Sequence, residues 1–115
     1  MSTTEILAAP TAELARELWQ QTEHEFRALA DHWWRETVYL SNSSRRQTHP
    51  PFLKIIGMGR PAVPLILREM QTERSAREWC YALQVITGES PGGGRMTYPE
   101  KKAAWLGWGR EKGLL

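Results

Sequence analysis

The sequence predicts an all-α fold of four to five helices, a long N-terminal helix packed on a HEAT-like helical hairpin with a C-terminal helix beside it. Three observations predict it. Leu14, Leu18, Phe26, Leu29, Trp33 and Leu40 are separated by threes, fours and their sums, so they form one stripe of a long helix. Helix-start and helix-stop residues bracket the remaining apolar runs. No stretch alternates apolar and polar residues over a useful length, so no sheet is expected.

Pro10 and Thr11 can start the long helix and Ser41-Asn42-Ser43-Ser44 end it, with Glu13, Glu17, Glu23, Glu25, Asp31 and Glu36 on its wet side. A short turn capped by Ser2, with Glu5 three residues on, precedes it. Arg45 to Pro51 reads as an extended loop, because a residue before proline is pushed away from α geometry. Pro51 then suits a first helical position, Phe52, Leu53, Ile55 and Ile56 supply apolar turns, and Gly57 offers the stop. Pro61 opens the next helix, buried through Val63, Ile66, Leu67 and Met70. Ser75 and Glu78 have capping-box spacing before a helix carrying Trp79, Ala82, Leu83, Val85 and Ile86 and stopping at Gly88. Glu89 to Met96, with Pro91-Gly92-Gly93-Gly94, has too much backbone freedom for regular structure. Thr97 and Glu100 repeat the capping-box spacing, so the last helix runs from Pro99 to about Trp108.

A chain of 115 residues fits one domain, residues 1–115. With 24% charged and 41% hydrophobic residues, its composition is that of an ordinary globule and excludes disordered, collagen-like and low-complexity classes. A lone Cys80 makes no internal disulfide, which points to a reducing compartment and a cytoplasmic location. Met1 to Pro10 lacks the basic and apolar regions of a signal peptide, and no apolar run approaches the ~18 residues of a membrane span. The net charge of +2 is sorted along the chain: seven acids and three bases in 1–36, then four bases and no acid in 37–60. An acidic helix neutralising basic loops explains such sorting, and so does a basic face for phosphate.

The string Gly59-Arg60-Pro61-Ala62-Val63-Pro64-Leu65-Ile66-Leu67, followed by a polar turn and Ala76 to Thr87, resembles one HEAT-type helical hairpin. His49-Pro50, Ile55-Ile56-Gly57-Met58-Gly59, Pro64-Leu65-Ile66-Leu67, Trp79, Ala82-Leu83, Ile86-Thr87-Gly88 and Trp105, Trp108-Gly109 are similar to a pattern in a family of small bacterial proteins. The resemblance implies a bacterial, cytoplasmic, helical protein and brings no catalytic residues. One hairpin cannot bury both its faces, so the first and last helices must act as covers.

Six tryptophans are many for this length, and Trp33 and Trp34 cannot both face one core, because helical neighbours are turned by about 100°. Core filling is one use of an indole; the other is a partner-binding surface, for which tryptophan and arginine are favoured anchors. The partner-binding candidates are Trp34, Arg35, His49, Trp105, Trp108 and Arg110. Arg45, Arg46, Lys54 and Arg60, with Lys101 and Lys102, would touch phosphates if segments 45–60 and 95–112 meet in space. No metal site is expected: His24 and His32 are about 12 Å apart along a helix, and His32 with Glu36 reads as a surface hydrogen bond. No cofactor and no enzymatic activity are expected, for the chain lacks G-x-S-x-G, H-E-x-x-H and C-x-x-C motifs. Gly92-Gly93-Gly94-Arg95 lacks the lysine and hydroxyl of a phosphate loop. Cys80 inside an apolar helix reads as inert packing.

These readings converge on a non-enzymatic protein–protein interaction module of regulatory, inhibitory or antitoxin-like kind, binding another protein or a second copy of itself. The alternative is a weak, sequence-independent nucleic-acid binder. No membrane partner is expected.

Overall fold

A computed structural model describes residues 11–115, so the expected turn around Ser2 and Glu5 lies outside the described residues. The fold is all-α, as expected, with no strand among the described residues, and these form six α-helices rather than the expected four to five.

Helix α1 spans Ala12–Thr37. Thr11 caps it, its hydroxyl accepting the Leu14 N–H at 3.1 Å. It ends before Leu40, where Thr37, Val38 and Tyr39 bring three residues of poor helix propensity together. The expected stripe is corrected as well. The buried face is Phe26, Ala30, Trp33 and Thr37, whereas Leu14 and Leu18 are exposed. The spacing was helical throughout, but the body is long enough to cover only the second half of α1.

The predicted loop 45–51 contains a helix instead, α2 at Ser43–Gln47. Asn42 starts it by accepting the Arg45 N–H, and two distant groups hold it: Trp33 Nε1 donates to the Arg46 carbonyl and the Ser43 hydroxyl to Glu78, both at 2.8 Å. Helix α3 spans Pro50–Met58, one residue earlier than expected, because Pro50 already tolerates the first turn. It runs through Gly57 and stops at Gly59, whose φ of 73° is the conformation that favours glycine. A 3-10 turn, Arg60–Ala62, leads into α4, Val63–Glu69, with Pro64 in its first turn.

Helix α5 spans Glu78–Thr87 and closes at Gly88 in the left-handed conformation, as expected. Its expected capping box does not form. Tertiary partners take both side chains: Ser75 Oγ meets the Tyr98 hydroxyl, and the Glu78 carboxylate binds Arg46 and Ser43. Helix α6 spans Tyr98–Glu111, and here the Thr97 hydroxyl accepts the Glu100 N–H and donates to its carboxylate.

Four aromatic rings centre the core and join α1, α3 and α5. Trp33 lies 4.9 Å from Trp79 and 5.0 Å from Phe52, Phe52 lies 5.3 Å from Trp79, and Phe26 closes the group at 6.0 Å from Trp79. Such pairs add about 0.5–1.5 kcal/mol each beyond their buried area. Helix α6 reaches α4 through Gly109, where an added Cβ would stand 2.8 Å from Leu67 Cδ1.

Candidate functional site

Two features stand out once the core is assigned: the free start of α1, and a cleft beneath the glycine-rich segment. From Ala12 to Leu18 every residue of α1 is exposed; Leu14 is 43% and Leu18 51% accessible, and the helix first meets the core at Trp19. The two leucines are four apart and share a face. Continuity with the packed half sustains these turns, since extending a formed helix is cheap compared with nucleating one.

The cleft has a volume of about 500 Å³ and lies between α5, the 90–97 segment and α6, with Gln47 of α2 at its edge. Cys80 and Trp105 line its interior side. Burial pushes the Cys80 thiol up to about 11, so it stays protonated and a poor nucleophile near neutral pH. Arg77 and Lys101 are the two charged residues of the lining, and it contains no carboxylate. Gly92, Gly93 and Gly94 all have positive φ, which lets the segment fold back so closely that an added Cβ at Gly92 would stand 2.8 Å from Met96 Cε and 3.3 Å from Cβ of Ala104 on α6.

The expected partner-binding residues are scattered by the fold. Trp105 is 4% accessible and belongs to the core, which corrects its assignment to a free surface. Its neighbour Trp108 is half-buried, edge-on to it at 5.2 Å, with its indole N–H donated to Glu89 at 2.8 Å. Trp34 is half-buried with the Arg74 guanidinium over its ring, as the geometry of adjacent tryptophans required. Arg35 and Arg110 are exposed. His49 sits at the start of α3, and its Nε2 meets Glu36 Oε1 at 2.7 Å, the same oxygen that His32 Nε2 approaches at 2.7 Å. The hydrogen bond to His49, and the two imidazoles together, hold the Glu36 carboxyl below the usual glutamate range.

Of the basic residues, Arg45, Lys54, Arg60 and Lys101 are exposed and Lys102 is half-buried. Arg46 is the correction: its guanidinium is paired with the buried Glu78 at 3.1 Å and lies over the Trp33 ring, so it is not free for phosphate. The two basic segments do approach one another, because Gln47 and Lys101 border the same cleft. Sequence reasoning missed this cleft. Its cations sit 24 residues apart, Arg77 just before α5 and Lys101 on α6, and neither adjoins the glycines in the chain.

None of the described helices is long and apolar enough to cross a membrane. No protein family matches the chain, and no curated protein and no solved structure matches it.

Proposed function

We propose that the chain is a helical protein–protein interaction module that docks through the free start of α1. The observation that carries this reading is the exposure of Leu14 and Leu18 on one helical face, with nothing among the described residues packed against them. Single exposed leucines are ordinary, but two on one stripe of a projecting helix match the way amphipathic helices lie in a groove. Glu13 and Glu17 are exposed in the same turns as Leu14 and Leu18, against one exposed base, Arg16. The partner this fits is therefore a protein with an apolar groove rimmed by lysine or arginine, because complementary charge steers and orients such contacts.

The test places a photo-cross-linking residue at position 14 or 18 of the full chain, in its host, with position 102 on α6 as the control. The reading expects one protein adduct from 14 and 18 that is absent from 102, mapping to a segment rich in lysine or arginine. Adducts equal at all three positions, or none, would overturn it; an adduct only with a second copy of the chain would replace the partner by a homodimer.

A further inference from the structure

The cleft beneath the glycine-rich segment has a chemistry that the docking reading does not use. Its size, about 500 Å³, is within the ~300–1,000 Å³ of small-molecule sites. Both charged side chains that line it are cationic, and neither Arg77 nor Lys101 forms an ion pair among the described residues. Two unpaired cations around one cavity, with no acid to neutralise them, set a positive potential where a doubly charged anion is stabilised. Arginine offers a planar fork and lysine a compact point charge, the pair of donors that phosphate takes well. Gly93 and Gly94 add backbone to the wall with no side chain to keep a ligand away, and the Gly94 N–H has no acceptor among the described residues.

The rest of the lining suits a flat ring. Tyr81, 42% accessible, brings an aromatic ring to the lining, with Pro91 and Met96 supplying further apolar surface. Gln47 and Gln84 line the cleft with carboxamides that no protein group engages among the described residues. A carboxamide can donate and accept at once, as recognition of a heterocyclic edge requires. We propose that the cleft binds a phosphate monoester carried on a flat heterocycle, the chemical class of a nucleoside monophosphate. Arg77, Lys101 and the Gly94 N–H take the phosphate; Tyr81 and the two glutamines take the ring. The phosphate is that of a free small molecule or of a nucleic-acid end, and the experiment separates the two.

The full chain, labelled with ¹⁵N, is titrated with adenosine monophosphate, adenosine, inorganic phosphate and a four-nucleotide single strand carrying a 5′-terminal phosphate. Saturable shifts of Gly93, Gly94 and Tyr81 are expected with the monophosphate at a dissociation constant of about 1 mM or below, and at least ~10-fold weaker binding of adenosine and of phosphate alone. Arg77→Gln and Lys101→Gln should each weaken the monophosphate ~10-fold, the cost of one charge-assisted hydrogen bond, with the melting temperature unchanged; Arg110→Gln should leave binding as it was. Tighter binding of the tetranucleotide, falling steeply with salt, assigns the phosphate to nucleic acid; equal or weaker binding assigns it to a small molecule. No saturable shift by about 10 mM, adenosine binding as well as its phosphate, or unchanged binding in both glutamine variants would overturn the proposal.

Discussion

The carboxylate of Glu69, buried on α4, receives both terminal nitrogens of Arg27 of α1, at 3.0 and 3.1 Å. The pair spans 42 residues of sequence and ties the long helix to the body just past its last exposed turns. Arg27 also reaches Asp31, which in turn meets Arg74. A guanidinium half in water and a carboxylate out of it are unequal partners: losing the arginine leaves a buried charge, and losing the glutamate leaves a solvated one. Arg27→Ala should therefore destabilise by about 1–2 kcal/mol, discounted for the exposed arginine, and Glu69→Gln by less. A urea-denaturation double-mutant cycle should give a coupling of about 1 kcal/mol; additivity of the two would show that the fork contributes nothing.

Two adjacent arginines should behave differently. Arg46 neutralises the buried Glu78 and covers Trp33, whereas Arg45 projects into solvent. Arg46→Ala should cost about 3 kcal/mol, because it strands Glu78, and Arg45→Ala should stay within ~0.5 kcal/mol. Denaturation midpoints of the two variants decide it.

Two glycines of α6 make a second contrast. An added Cβ at Gly107 meets nothing within 4 Å, so Gly107→Ala should stabilise by about 0.5–1 kcal/mol through helix propensity alone. At Gly109 the same methyl would stand 2.8 Å from Cδ1 of the fully buried Leu67, and overpacking of ~1–3 kcal/mol outweighs that gain. Thermal melts should move in opposite directions.

Along α1, stability should switch on with burial. Leu14→Gln and Leu18→Gln should change stability by no more than ~0.5 kcal/mol each, while Phe26→Ala should cost about 3–5 kcal/mol. Equal losses in urea at all three positions would place Leu14 and Leu18 against the body.

Glu36 gives a pH signature. Its folded carboxyl titrates below its ordinary value of 4.5, held down by the bond from His49 and then by His32, so the ionised form is favoured by folding. A depressed carboxyl contributes stability that is present above the unfolded value and is lost as pH falls through the folded one. Relative to Glu36→Gln, the wild type should be more stable near pH 6, and that advantage should shrink from about pH 4.5 downward. A constant difference across that range would mean that the two imidazoles do not act on Glu36.

Local chemistry made much of this fold legible. The helical period of α1, the Thr97 cap with Glu100, Gly88 in the left-handed conformation and Pro64 in a first turn all follow from single residues and their near neighbours. The readings that failed were decided by partners far along the chain. Ser43–Gln47 is helical because Asn42 caps it and because Trp33 and Glu78 hold it, and Glu78 left the capping box for the same reason. Periodicity placed Leu14 and Leu18 on a helix face without saying where the body beneath that face ends. Trp105, Trp108 and Trp34 were equivalent as letters; only packing separated a core ring from two half-buried ones. The cleft is the furthest case, since Gln47, Arg77, Lys101 and the glycines share it solely through the way α2, α5 and α6 come together. Sequence by itself determined that the five longer helical segments coil, because helix period and caps act over three or four residues. Tertiary structure alone decided which faces are buried and which charges remain unpaired, because burial and pairing depend on what lies across the fold.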